Sequence, residues 1–129
     1  MKYLGIDYGR ARVGISLSDV EGKIAFPHTV LANNSAEEII DAVCLLVREE
    51  GVENVVLGEP QAILGMVRDV REEIENFGKN LASRCPAKVH FEDEMFTTKI
   101  AEMHSKENSD ASAAALILQS FLDKRNRVQ

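Results

Sequence analysis

Acidic residues at four places in the chain could hold a divalent metal ion for phosphodiester chemistry. The first, Asp7, interrupts the apolar run of residues 3–8. A charged group inside an otherwise apolar strand is costly to bury unless something pairs with it. A metal ion is one such partner, and sites that process phosphate esters use metal ions in this way. The alternative is a carboxylate that caps the following turn by accepting hydrogen bonds from its backbone amides.

The other acidic positions follow predicted strands or open the last predicted helix. Glu59 follows the fourth apolar run, Asp93 and Glu94 follow the fifth, and Asp110 precedes an alanine-rich segment. Ligand sites in open sheets gather beyond the carboxyl ends of parallel strands, which favours the first three of these residues. A structural role at a helix N-terminus is the alternative for Asp93, Glu94 and Asp110. Strand alternation puts Asp93 and Glu94 on opposite sides, so their spacing leaves open which one faces a site.

These carboxylates would offer oxygen ligands of the kind that Mg²⁺ or Mn²⁺ prefers. Two such ions, about 3.5–4 Å apart, can activate a water molecule and stabilise the leaving oxygen of a phosphodiester. The scattered histidines do not predict a zinc site; they are His28, His90 and His104. Several cations could bind phosphate, although solvated surface charge is the commoner role for any one of them. They are Arg10, Arg12, Arg68, Arg71 and Lys99, of which the first two rank highest because they closely follow Asp7.

Five strands and four helices must position these residues. Apolar patterning predicts the strands at residues 3–8, 12–18, 24–31, 53–58 and 87–92. A capping box at Ser35 and a stop at Gly51 bound the first helix. Apolar stripes and small-residue faces predict the remaining helices at residues 67–81, 97–103 and 110–122. The polar tail, residues 124–129, is expected to fray.

The element order βββαβαβαα predicts one α/β domain that spans residues 1–129. The first three strands form an antiparallel meander, in which Val13, Ile15 and Leu17 alternate with small or polar residues. Helical crossovers then lead to parallel strands. The prediction is a mixed five-stranded sheet with helices on its faces.

Composition narrows the class of protein. Hydrophobic residues make up 45% of the chain and charged residues 28%, which is ordinary for a globular domain. We expect a cytoplasmic protein that does not enter a membrane, because no apolar run approaches about 20 residues and nothing resembles a signal peptide. Cys44 and Cys85 lack metal-site spacing and are expected to be reduced. The net charge of −6 argues against nucleic-acid binding by bulk electrostatics, although clustered carboxylates inflate that value.

Four ordered motifs carry a resemblance to a known family. They lie at residues 5–19, 55–60, 93–98 and 109–119. At these residues the chain resembles the YqgF/RuvX family of pre-16S rRNA nucleases and Holliday-junction-resolvase-like proteins, over nearly its whole length. The resemblance implies a ribonuclease H-like fold and metal-dependent phosphodiester hydrolysis. The family is associated with maturation of the 16S rRNA 5′ end and, in some members, with cleavage of branched DNA.

The resemblance also implies roles for individual residues. The acidic catalytic residues are carried onto Asp7, Asp93, Glu94 and Asp110. The expected ligands of Mg²⁺ or Mn²⁺ are Asp7, Glu59, Glu94 and Asp110. The expected substrate contacts are Arg10, Arg12, Thr97, Thr98 and Lys99.

Two positions depart from the family pattern. The arginine that follows Asp-Glu in the family is Met95 here, and methionine lacks the bidentate donors of arginine. Glu59 replaces an apolar residue; a glutamate ends the corresponding strand and binds metal in related resolvases, but an exposed change is an equal alternative.

The leading hypothesis is a nuclease that acts on structured RNA, with the 16S rRNA precursor as its substrate. The runner-up is a junction-specific DNA nuclease, which would need a dimer to cut two strands symmetrically. Two further hypotheses are a nucleotide-binding protein of the actin and sugar-kinase type and a non-catalytic relative that binds nucleic acid. The expected partner is therefore a nucleic acid, structured RNA or branched DNA, bound by a monomer or a homodimer.

Overall fold

The computed structural model describes residues 1–60, 68–94 and 109–127. The strands are β1 (Tyr3–Tyr8), β2 (Arg12–Ser18), β3 (Ala25–Ala32), β4 (Asn54–Pro60) and β5 (Lys88–Glu94). The helices of the described part are α1 (Ala36–Glu50), α2 (Arg68–Arg84) and α3 (Ser109–Arg127). The short helix predicted at 97–103 falls outside the described residues.

The five strands form one mixed sheet in the order β3-β2-β1-β4-β5. The pairs β1–β2 and β2–β3 are antiparallel, whereas β1–β4 and β4–β5 are parallel. This arrangement confirms the predicted fold class, because a meander of three strands is followed by helical crossovers to parallel strands. Within the described helices, no segment is long and apolar enough to cross a membrane.

The two faces of the sheet are covered differently. On one face, Leu4, Ile6 and Leu57 pack in a buried core with apolar residues of α1 and α2. On the other face, small residues allow α3 to lie very close to the strands. A Cβ added at Gly5 would lie 2.8 Å from the Cβ of Leu118. In the same interface, the buried Ser16 hydroxyl donates a 2.9 Å hydrogen bond to the carbonyl of Ala114.

Capping residues set the ends of α1 as the sequence predicts. The Ser35 hydroxyl accepts a 3.1 Å hydrogen bond from the backbone N–H of Glu38. Gly51 ends the helix in the left-handed conformation, with φ of 66°, and its N–H bonds the carbonyl of Val47. A glycine adopts this conformation without the steric strain of a Cβ.

Several elements end later than predicted, among them β4, β5 and α3. Strands β4 and β5 continue through Pro60 and Glu94, so Glu59 and Asp93 lie within strands and not beyond them. Helix α3 continues through Arg127, so residues 124–127 are helical where a frayed tail is predicted. Side-chain contacts help to hold this last turn: Lys124 Nζ bonds Glu92 Oε2 at 2.7 Å, and the Arg125 guanidinium lies 5.8 Å from the centre of the Tyr3 ring.

Candidate active site

Asp7 is a buried carboxylate within β1. It is 7% exposed, and its register partner in β2 is Gly14. Side chains alternate along a strand, so Asp7 shares the face of Gly5, the residue that packs against α3. The sheet therefore directs the carboxylate of Asp7 toward the α3 layer and away from the main apolar core.

Asp110 reaches the same place from the first turn of α3. Its backbone carbonyl lies directly against Gly14, where any added Cβ would overlap the carbonyl oxygen. Its side chain is 15% exposed. Gly14 is thus the direct neighbour of both Asp7 and Asp110, and the structure brings these two predicted residues together because Gly14 has no side chain.

Arg12 joins this pair, whereas Arg10 does not. Arg12 Nε donates a 2.7 Å hydrogen bond to Asp110 Oδ2. Arg10 Nε instead pairs with Glu73 Oε2 of α2 at 3.2 Å. The turn between the two strands is held by Asn33, whose side chain donates a 2.8 Å bond to the carbonyl of Gly9. The two predicted phosphate-binding arginines therefore serve different parts of the molecule.

Glu59 lies on the opposite face of the sheet from Asp7. It follows the core residue Leu57 by two positions and is 8% exposed. Its Oε1 lies 2.6 Å from Arg71 Nη2 of α2. A buried carboxylate is stabilised by such a pair. The structure does not bring Glu59 to Asp7 and Asp110, and it gives Arg71 a partner within the protein.

Asp93 shares the face of Glu59. The two residues are register partners in the parallel pair β4–β5. Phe91, two residues earlier, lies beside Gly78 of α2, where an added Cβ would come within 2.6 Å of the Phe91 ring. The exposed side chain of Asp93 is therefore on the α2 side, away from Asp7. The backbone of Glu94 pairs with Pro60 at the end of β5.

Several predicted site residues fall outside the described part of the chain. The side chains of Glu94 and Arg68 are among them, as are residues Thr97, Thr98 and Lys99; the departure at Met95 also lies there. Among the residues that the structure describes, no three His, Cys, Asp or Glu side chains are grouped to hold a metal ion. Asp7 and Asp110, which both neighbour Gly14, carry oxygen donors, which fit Mg²⁺ or Mn²⁺ better than Zn²⁺.

Two described histidines have no place in this site. His90 Nε2 lies 2.8 Å from Asn54 Oδ1, and the His90 ring packs 5.2 Å from that of Phe121. Burial, followed by the nearby charges of Lys88 and Arg125, lowers the pKa of His90. His28 is exposed on β3.

The residues that sequence reasoning missed are Gly14, which sets the approach of α3, and Glu92, which is bonded by Ser120 and Lys124 of α3.

Comparisons with known proteins assign the chain to a family. The family model described as RuvX, Holliday junction resolvase, matches residues 1–124. A Chloroflexus aggregans protein named "Putative pre-16S rRNA nuclease" is 36% identical over 132 residues, covering 95% of this chain and 93% of its own. A protein of the same name from Caldanaerobacter subterraneus subsp. tengcongensis is 34% identical over 136 residues, covering 97% of this chain and 98% of its own.

A solved structure shares the fold. The T. thermophilus RuvC structure in complex with a Holliday junction substrate covers 98% of this chain and 96% of its own, with a TM-score of 0.65 and 18% identity. This likeness supports the ribonuclease H-like arrangement of the sheet and helices. The family model and the curated relatives confirm the family indicated by the four sequence motifs, and the chain belongs to the RuvX family.

Proposed function

We propose that this protein is a metal-dependent nuclease that hydrolyses phosphodiester bonds in structured RNA, with the 16S rRNA precursor as its substrate. The observation that carries the proposal is the convergence of Asp7 and Asp110 on either side of Gly14. The family supports the reaction class, and the names of the curated relatives support the rRNA precursor.

Asp7 and Asp110 are the proposed ligands of a divalent cation, Mg²⁺ or Mn²⁺. When bound, such a cation supplies Lewis-acid polarisation of the phosphoryl group and a water of lowered pKa. Asp7 supplies a carboxylate in a setting from which water is largely excluded, where its interaction with a cation is strong. Glu94 is proposed as a further ligand from its sequence motif alone. Glu59 and Asp93 are left out of this set because they share the α2 face.

Arg12 is the proposed first contact with substrate phosphate. Its side chain is 60% exposed beside Asp110, so a guanidinium with several donors faces solvent at the edge of the site. Arginine matches the geometry of phosphate oxygens with two parallel N–H donors. A local cation of this kind is what an acidic protein of net charge −6 needs to bind a polyanion.

A branched-DNA nuclease is the second candidate. The matching family and the solved RuvC complex are both described by the Holliday junction. Symmetrical cutting of a four-way junction needs two active sites related by a two-fold axis. Sedimentation of the protein with and without a four-way junction therefore separates the candidates, because a protein that stays monomeric on the junction counts against this second activity.

The test is a cleavage panel of precursor rRNA, four-way DNA and single strands, with Mg²⁺, with Mn²⁺ and with EDTA. Asp7→Asn should lose activity on the preferred substrate. Because loss of an outer-shell partner already costs about 10–100-fold, loss of a ligand should cost more. Asp41→Asn is the matched control, since Asp41 is an exposed α1 residue paired with Arg84. The proposed mechanism would be contradicted if Asp7→Asn and the wild type cleaved the substrate at equal rates, or if EDTA left the wild-type rate unchanged.

A further inference from the structure

Arg12 forms an ion pair with Asp110, the carboxylate that a cation at this site would need as a ligand. Its Nε is 2.7 Å from Asp110 Oδ2, although the two residues are 98 positions apart in sequence. The Asp110 side chain is 15% exposed and that of Arg12 is 60% exposed. The ion pair therefore lies at the mouth of the site, with the carboxylate on the inner side and the guanidinium on the solvent side.

The backbone on both sides of this ion pair is held in place. Gly14, two residues after Arg12, lies against the carbonyl of Asp110. Ser16, two residues further along β2, bonds the carbonyl of Ala114 in α3. Helix α3 is thus fixed to β2 through consecutive same-face positions. What can change without moving either element is the conformation of the long, exposed side chain of Arg12.

We propose that Arg12 competes with the divalent cation for Asp110, and that displacement from Asp110 makes the guanidinium available to substrate phosphate. This inference rests on the proposed function and adds a regulatory step to the same site. Its physical basis is charge. A guanidinium in contact with a carboxylate neutralises part of the negative charge of that carboxylate. It also repels a second cation nearby.

The consequence is coupling between the cation and the nucleic acid. Arg12 loses its carboxylate partner when Asp110 turns to the cation, and a phosphate is the group that best replaces that carboxylate. Each ligand then favours binding of the other by the same factor, because coupling free energies are reciprocal. Arg10 has no such role, since its partner Glu73 belongs to α2.

The test measures Mn²⁺ binding alone, by electron paramagnetic resonance of the free ion, with no nucleic acid present. Arg12→Gln and Arg12→Ala should each bind Mn²⁺ about three- to fivefold more tightly than the wild type, the size expected for loss of one exposed ion pair. Arg12→Lys keeps a competing charge and should bind Mn²⁺ nearly as the wild type does. Arg84→Gln is the control, because it removes an exposed arginine whose partner, Asp41, is remote from the site.

The outcomes separate this inference from the proposed function. Tighter Mn²⁺ binding by Arg12→Gln and Arg12→Ala supports competition, since a purely structural arginine would leave the affinity unchanged or weaken it on removal. Mn²⁺ binding by the wild type with equal or weaker binding by Arg12→Gln and Arg12→Ala overturns the competition and leaves the proposed cation site standing. An absence of Mn²⁺ binding by the wild type overturns both.

Discussion

The Cα atom of Gly14 in β2 lies against the backbone carbonyl of Asp110 in α3, with no room for a Cβ between them. Gly14 is also the register partner of Asp7. One glycine therefore sets the distance between the two carboxylates of the candidate site. The separation of Asp7 and Asp110 depends on how closely a helix can approach a strand.

Gly14→Ala should weaken Mn²⁺ binding by about tenfold or more, because α3 must shift and take Asp110 with it. Gly5→Ala is the matched control in the same interface, where the new Cβ would meet Leu118 and Ala114 one to two turns further along α3. Both variants should lose about 1–3 kcal/mol of stability through overpacking. Calorimetric titration with Mn²⁺ separates them, and equal affinities in the two variants would contradict the role given to Gly14.

Glu59→Gln should leave the Mn²⁺ affinity unchanged, because Glu59 lies on the α2 face and pairs with Arg71. Its stability should fall by about 1.5–3 kcal/mol, the range for a hydrogen bond to a charged group, when measured by urea denaturation. Asp7→Asn provides the comparison and should lose Mn²⁺ binding. A weaker affinity in Glu59→Gln would show that this glutamate is a ligand after all.

Stability should depend on pH through His90. The pKa of His90 is lowered in the folded protein from its ordinary value of 6.5, with burial as the main cause. The unfolded chain therefore takes up a proton at higher pH than the folded protein does, and the stability present above 6.5 falls as the pH drops below that value.

The measurement is the free energy of unfolding in urea between about pH 7.5 and about pH 5, the range in which histidine titrates. His90→Gln should reduce the slope of this free energy against pH. His28→Gln is the control, because His28 is exposed on β3. Equal slopes in wild type and His90→Gln would contradict the assignment.

The thiol of Cys44 should resist alkylation in the folded protein. Burial, together with a hydrogen bond and charge interaction with Cys85, raises the pKa of Cys44 from 9.0 to about 11. At a given pH this leaves about 100-fold less of the reactive thiolate. Burial is the largest cause of the shift and persists without Cys85, so iodoacetamide labelling of a Cys85→Ser variant should be slow in buffer and fast in urea. Rapid labelling without denaturant would show that this part of the core opens.

The order of strands and helices was predictable because each element has a simple period. The alternation of β2 and the capping box of α1 depend only on neighbours in sequence. The ends of strands depend on pairing partners, which the sequence does not show. Glu59 and Asp93 therefore appeared to lie beyond the sheet, and a strand longer by two residues assigns them to the α2 face.

Of the predicted site acids, the structure puts Asp7 and Asp110 beside Gly14, whereas Glu59 and Asp93 lie on the α2 face. Asp7 and Asp110 belong to motifs, and the structure brings them together. Arg10 and Arg12 are two residues apart and equivalent in sequence, yet one reaches Glu73 and the other Asp110. Their difference arises from the turn between β1 and β2. The role of Gly14 arises from the approach of α3, a contact across 96 residues of sequence, for which a single chain carries no local signal.

The side chain of Gln119 has a consequence for the outer strand of the sheet. Its amide oxygen accepts a hydrogen bond from the N–H of Ala25, and its amide nitrogen donates to the carbonyl of Lys23. Strand β3 is at the edge of the sheet, and Pro27 within it has no N–H to offer. At the start of β3, few backbone N–H and C=O groups therefore remain to hydrogen-bond a strand from another molecule. This protects the protein against aggregation by sheet extension.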